Sequence, residues 1–434
     1  MTEVQIGLLG CGALLILLAS SMPVALSMAV VGAVGYAIVV SPQAAMSMAT
    51  MDLYGTFSNY SLTVIPLFVL MGQIAFHGGI SRRLFNTAYT WLGPLPGGLA
   101  MATVAACMGF GAICGSGPAT AATMAAVALP EMRRYNYDME LGSGAVAAGG
   151  SLGMLIPPSV VFIVYAIMTE QSIGELFIAG VLPGILIGGL FCLTIYASCK
   201  RRPHLGPPSP PFTWSQRFKS LRGVSETLVL FLVVMGGMFV GFFTATEAAA
   251  IGAAGTIAVS LFQRQLTWKI FVRSLIETLR TSCMIMIIVA GALIFGHFLA
   301  VTRIPSNLAE FLAGLPLPPF MIMALIILFY LVGGCFIDAL ALVLLTTSIF
   351  YPVILELGYN PVWFGVIIVV VTQMGVISPP VGVNVYVVSG IERDIPLQTV
   401  FKGALPFLAT LILAAAILIA FPKICLFLPE LMQQ

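Results

Sequence analysis

GSLGMLIPPS (residues 150–159) and TQMGVISPPV (residues 372–381) each set a double proline in the middle of an apolar segment long enough to cross a bilayer. Gly153, Pro157 and Pro158 in the first match Gly375, Pro379 and Pro380 in the second, each 222 residues later. Proline removes a backbone donor and drives the residue before it out of helical geometry, so each stretch predicts an unwound patch at membrane depth. Free carbonyls and amides at that depth must be buried by protein or line a polar cavity. Two such breaks, at matching places in two halves, point to a binding site near the bilayer midplane.

The surrounding composition agrees. Hydrophobic residues make up 60% of the chain and charged residues 8%, against roughly a quarter charged in a soluble domain. Residues 141–169 and 357–391 contain no charged residue at all. This is the composition of an all-α polytopic membrane protein. A net charge of +2 without a basic, aromatic-interleaved surface gives no footing for nucleic acid. The eight cysteines form no CxxC pair, so they read as small free thiols among helices rather than a zinc site or disulfide framework. The first apolar span lacks a basic leader and runs through Met22-Pro23 into a second span, so it is expected to be retained.

Outward from the breaks, the chain reads as two repeats. Spans are expected at 5–20, 24–40 and 61–77, with an interfacial stretch at 43–60 and Arg82-Arg83 marking an exit. Residues 97–130 form one apolar unit of 34 residues, short of the ~40 that two full crossings need. At its middle lies GAICGSGPAT (111–120), rich in small and hydroxylated residues. We read 97–130 as a re-entrant hairpin with Cys114, Gly115 and Ser116 at its tip, and 139–168 as the broken helix. A further span at 176–199 ends in Lys200-Arg201-Arg202. The polar, proline-rich stretch 204–223 is a linker, and six Lys and Arg between 200 and 222 place it in the cytoplasm.

The second half repeats the pattern, with spans at 224–242, 246–262 and 282–300, the last preceded by an amphipathic stretch. A second hairpin is expected at 317–352 and a second broken helix at 358–389. Gly111, Ser116, Pro130 and Tyr137 map onto Gly333, Asp338, Pro352 and Tyr359 at the same spacing of 222. Residues 1–203 and 224–434 are therefore two repeats. Five complete crossings per half would invert the second relative to the first. Arg82, Arg83, Arg133 and Arg134 flank the first hairpin, whereas Arg303 stands against Glu310 and Glu356 at the second. The first hairpin then opens from the cytoplasm, the second from the opposite face, and both chain ends are periplasmic.

Hairpin tips meeting unwound prolines supply helix N-termini for anions and free carbonyls for hard cations such as Na⁺. The first candidate ion site is Cys114, Gly115 and Ser116 with Gly153, Ile156 and Pro158, mostly through backbone oxygens. The second is Phe336, Ile337 and Asp338 with Gly375, Ser378 and Pro380. Asp338 is the sole acid between Glu310 and Glu356, and a carboxylate inside a span is costly unless paired or hydrated. It is a candidate cation, proton or substrate contact, compatible with capping the helix that follows. Glu247, after Thr244 and Thr246, reads as helix-capping chemistry. His77 and His297 read as satisfied interface histidines, and Gln373 and Asn384 as interhelical hydrogen-bonders. No Ser/His/Asp set, HExxH or Walker loop is present, so no enzyme, cofactor or transition metal is expected.

The segments PLFVLMGQIAFHGGISRRLF (66–85), LPGGLAMATVAACMGFGAICGSGPATAATM (95–124), LGMLIPPSVVFIVYA (152–166), FFTATEAAAIGA (242–253) and MGVISPPVGVNVYV (374–387) resemble, in order and over nearly the whole chain, the large membrane subunit of TRAP transporters. The resemblance implies an ion-transporter-like inverted-repeat fold working as an elevator, in which both hairpins and both broken helices slide against a scaffold. It implies an ATP-independent, sodium-driven importer in the bacterial inner membrane. The partners implied are a DctQ-type small membrane subunit, expected here as a separate chain, and a DctP-type periplasmic binding protein that delivers an organic acid. Ser116 and Asp338 match residues that the family places beside the substrate. The family's first tip usually reads Ser-Gly-Ser, so Cys114 replaces a hydroxyl. C4-dicarboxylates, keto acids, sugar acids and sulfonates stay open as substrates. Other readings are a self-sufficient sodium/dicarboxylate symporter of similar plan and, from another class, a channel or non-transporting scaffold.

Overall fold

The structure, a computed structural model, describes residues 2–313 and 317–432. The predicted halves 1–203 and 224–434 also include residues 1, 314–316, 433 and 434, which lie outside the described residues. In chain order the helices of the first part are α1 (Glu3–Ala19), α2 (Val24–Val39), α3 (Pro42–Ser58), α4 (Val64–His77), α5 (Ile80–Leu92), α6 (Gly98–Cys114), α7 (Gly117–Arg134), α8 (Met139–Ser151), α9 (Val160–Thr169) and α10 (Ile173–Arg201). Those of the second are α11 (Trp214–Leu221), α12 (Ser225–Phe239), α13 (Ala245–Phe262), α14 (Trp268–Val301), α15 (Ile304–Ala313), α16 (Pro319–Gly334), α17 (Ala339–Glu356), α18 (Pro361–Ile377), α19 (Val383–Ile391), α20 (Leu397–Ala420) and α21 (Lys423–Met432). The described residues contain no strand.

Local chemistry sets the helix starts. Asp138 caps α8 by accepting from the Glu140 and Leu141 amides, and Asn360 caps α18 the same way from Val362 and Trp363, with Pro361 at the first helical position. Helix boundaries recur along the chain: α7 and α17 are offset by 222 residues at both ends, and α8 and α18 start 222 residues apart. Six stretches among the described residues are long and apolar enough to cross a membrane: Tyr60–His77, α10, α13, α14, α17 and α20. A seventh appears if α11 and α12, bent by 51° at their junction, count as one span.

One expected helix boundary is corrected. The span at 282–300 and the amphipathic stretch before it form a single 34-residue helix, α14. No glycine or proline interrupts residues 268–290, and Arg273 pairs with Glu277 one turn on, 2.9 Å apart, which supports the helix across its polar part. In the first half the corresponding stretch does break. Asn59 accepts from the Ser61 amide at 2.8 Å, a local turn that ends α3 before α4 begins. The linker at 204–223 contains the short helix α11, and between Arg82-Arg83 and the first hairpin the chain forms most of the amphipathic helix α5, which the sequence reading did not place.

The first break lies in the packed interior, whereas Pro379 and Pro380 of the second are exposed. Residues 145–166 are buried throughout, as are 362–378. The two regions meet directly: the Tyr165 hydroxyl donates to the Pro361 carbonyl at 2.8 Å, and Tyr165 packs on Phe364 with ring centroids 6.4 Å apart. A buried backbone interruption is tolerated there because its polar groups find partners within the protein.

Candidate functional site

The first tip is a two-residue turn, Gly115-Ser116, between α6 and α7. Gly115 has φ +66°, and a Cβ on it would lie 2.6 Å from the Pro158 carbonyl oxygen, so the turn needs glycine for its conformation and for its approach to the break. Val160 in turn donates its amide to the Gly115 carbonyl at 3.4 Å. The second tip is tied likewise, with the Val381 amide donating to the Cys335 carbonyl at 3.3 Å. Each tip is therefore latched to the broken helix beside it by one backbone hydrogen bond.

The break between α8 and α9 passes through a short 3-10 turn at Leu152–Met154 and then Leu155 to Ser159. The Ser159 hydroxyl donates to the Met154 carbonyl and caps α9 by accepting from the Phe162 amide. At the second break, between α18 and α19, Ser378 donates its hydroxyl to Met374 O at 2.6 Å. The Pro157–Pro158 and Pro379–Pro380 bonds are both cis.

Between the tips lies a cavity of about 350 Å³. Cys114, Gly115, Ser116 and Gly117 of the first tip and Asp338 and Leu340 of the second all line it. Gln73 of α4 and Thr281 of α14 add polar groups, and Met154, Val160 and Ile285 supply apolar wall. Ser116 stands at the N-cap of α7 without capping it through its side chain, so the first amides of that helix keep their partial positive charge free. Asp338 does cap α17, accepting from the Leu340 amide at 3.1 Å, and it lines the cavity. A chamber carrying both a helix N-terminus and a carboxylate can hold an anionic group and a hard cation next to each other.

Of the other residues singled out in the sequence, Gly153 packs against Gly111 and the Ser116 carbonyl. Ile156 is buried against Gly184 of α10, and Pro158 lies beside Gly115. Phe336 is exposed, Ile337 is half-buried, Gly375 packs on Gly334, and Pro380 is exposed beside Ser378. The cavity wall thus joins Cys114, Gly115, Ser116 and Asp338, whereas the remaining candidates form the layer behind it or lie to one side. Gln73 and Thr281 were not singled out in the sequence. Gln73 had a signal, as the one polar side chain between Pro66 and Phe76; Thr281 had none.

Most of the polar residues singled out away from the cavity have ordinary partners. Thr244 and Glu247 form a reciprocal capping box at the start of α13. His77 bonds Glu277 at 2.9 Å, and His297 bonds Asp52 at 2.8 Å, each joining two helices. Asn384 bonds between helices as expected, donating to the Ala147 carbonyl at 3.0 Å; for Gln373 the expectation is corrected, because its side-chain amide is buried with no partner among the described residues.

A multi-pass helical chain in which the first broken helix and both helix tips line one chamber, with a carboxylate in its wall, has the build of a membrane transporter subunit. The chain belongs to the tripartite ATP-independent periplasmic transporter family, as its DctM component: the family model matches residues 11–424. It is therefore a large permease subunit and not an enzyme. The C4-dicarboxylate TRAP transporter large permease protein DctM of Pseudomonas aeruginosa is 38% identical over 393 residues, covering 90% of this chain and 91% of that protein. The sialic acid TRAP transporter large permease protein SiaM of Vibrio cholerae is 33% identical over 416 residues, covering 96% of each. The fold is shared with the YdaH transporter of Alcanivorax borkumensis, known from a crystal structure, at TM-score 0.62 and 15% identity over 88% of this chain and 90% of that one.

Proposed function

We propose that this permease imports an organic acid by sodium symport through an elevator cycle in the bacterial inner membrane. The observation that carries the reading is the single cavity that Ser116 and Asp338 both line. The substrate carboxylate is held at the α7 N-terminus, where amides and the Ser116 hydroxyl donate to it. Sodium ions, as co-substrates, are held by carbonyl oxygens at the tips and breaks: Cys114, Gly115, Gly153, Ile156 and Pro158 on the first side, Phe336, Ile337, Gly375, Ser378 and Pro380 on the second. The charge of Asp338 offsets one of these ions. Hairpins 97–130 and 317–352 are re-entrant in this scheme and move with the broken helices against α4 and α14.

Family membership makes a small membrane subunit and a periplasmic binding protein the expected partners. The two relatives named above carry C4-dicarboxylate and sialic acid in their names; both compounds bear a carboxylate, so the shared requirement is an organic acid. The test is uptake into proteoliposomes holding the large and small subunits, with the cognate binding protein outside. Accumulation should require an inward sodium gradient, the binding protein and the small subunit together. Uptake by the large subunit alone would favour a self-sufficient symporter, and currents without accumulation would favour a channel.

A further inference from the structure

A second cavity, of about 620 Å³, opens where the start of α8, the end of α10 and the first part of α20 come together. It shares no lining residue with the central chamber. Asp138, Glu140, Arg201, Arg202 and His204 all line it, yet no ion pair joins any two of them among the described residues. Groups of both signs surrounding one space without closing on each other leave room for a ligand that carries both signs.

The walls are built rather than incidental. The turn at Pro203–Leu205 is pinned to the head of α8 by the Asp138 amide donating to the Leu205 carbonyl at 3.1 Å. Asp138 itself is engaged as the α8 cap, which leaves Glu140 as the free acid. On the opposite side Thr194 of α10 and Thr410 of α20 bond each other at 2.8 Å and seal the helix pair.

Position separates a lipid from a soluble ligand. Helices α10 and α20 are long and apolar enough to cross a membrane, and the cavity sits at the last turn of α10, beside Lys200 and Arg201. That is the depth at which headgroups lie and at which basic residues accumulate on the cytoplasmic side. Exposed Leu193, Leu405 and Leu413 continue along the same two helices, an apolar surface suited to acyl chains.

We propose that this cavity is a headgroup site for a zwitterionic aminophospholipid, its phosphate on Arg201 and Arg202 and its primary ammonium on Glu140. A phosphatidylglycerol would satisfy the arginines but leave Glu140 facing a neutral glycerol. A phosphatidylcholine offers no N–H donor to the carboxylate. The bound lipid joins α8 and α10 of the first half to α20 of the second.

The experiment is native mass spectrometry of the full chain, delipidated and then given equimolar phosphatidylethanolamine and phosphatidylglycerol of identical acyl composition. The wild type should retain the ethanolamine lipid in preference, on the order of fivefold, as one partly screened ion pair allows. Glu140→Gln, nearly isosteric and sparing the Asp138 cap, should bring the two lipids to parity while total retention stays. Arg201→Ala/Arg202→Ala should lose both. Equal retention by the wild type, a preference for phosphatidylglycerol, or an unchanged preference in Glu140→Gln would each overturn the assignment.

Discussion

A carboxylate at the head of a helix can be there only to cap it, and Asp338 does accept from the Leu340 amide at 3.1 Å. A cap needs an oxygen at that place, which asparagine supplies as well as aspartate. Offsetting a cation in the chamber needs the negative charge. Asp338→Asn therefore separates the two roles: the protein should insert, assemble and unfold like the wild type, while sodium-driven uptake in proteoliposomes falls by about tenfold or more, the scale of a lost charge-assisted contact. Wild-type uptake by Asp338→Asn would reduce the residue to its cap. At this scale the sequence showed the chamber unevenly. Cys114, Gly115, Ser116 and Asp338 were visible because a small-residue turn and a lone acid are out of place in apolar spans. Thr281 was not, since a hydroxyl in a helix ordinarily bonds a carbonyl one turn back and carries no mark of facing a chamber.

Among elements, the contact that matters most is that of each tip with its break. Gly153 lies where the first tip crosses the unwound segment, and a Cβ there would fall 2.5 Å from Thr120 Oγ1 and 2.9 Å from the Ser116 carbonyl oxygen. Both atoms belong to the hairpin, so the added methyl must push the hairpin away from the break instead of displacing a flexible side chain. Gly153→Ala should weaken the latch between Val160 and Gly115 and raise the sodium concentration for half-maximal uptake by about tenfold, with the substrate affinity of the isolated binding protein untouched. A sodium dependence matching the wild type would show that tip and break need not touch. The elements themselves were legible where local chemistry decides them. Double prolines, a Gly-Ser turn and the 222-residue spacing placed α6 to α9 and α16 to α19 within a few residues of their positions. The long helix α14 was read as two pieces because charge ended the apolar run. Helix propensity and the Arg273–Glu277 pair carried the backbone on regardless. Amphipathic α5 escaped because its apolar face is interrupted by arginine and threonine, and periodicity at interfaces is weaker than in a span.

For the whole molecule, the proposed elevator cycle divides the chain around the central chamber into what moves and what stays. The tips contribute one wall of the chamber, at Cys114–Gly117 and at Asp338 and Leu340, and α4 and α14 contribute another, through Gln73 and Thr281. Helices α4 and α14 pack along each other and are fastened by the His77–Glu277 pair, which gives the second wall the character of a fixed frame. In an elevator cycle the first wall slides past the second, so a covalent link across the chamber must stop transport without harming either wall. A variant whose only thiols are Cys114 and Thr281→Cys, treated with a short bismaleimide in this state, should become cross-linked within one chain. Its uptake should fall in proportion to the cross-linked fraction, whereas labelling either thiol alone with a monofunctional maleimide of similar bulk should inhibit less. Full uptake after quantitative cross-linking would mean that tips and frame travel together, and transport would then have to proceed by gating around a stationary chamber.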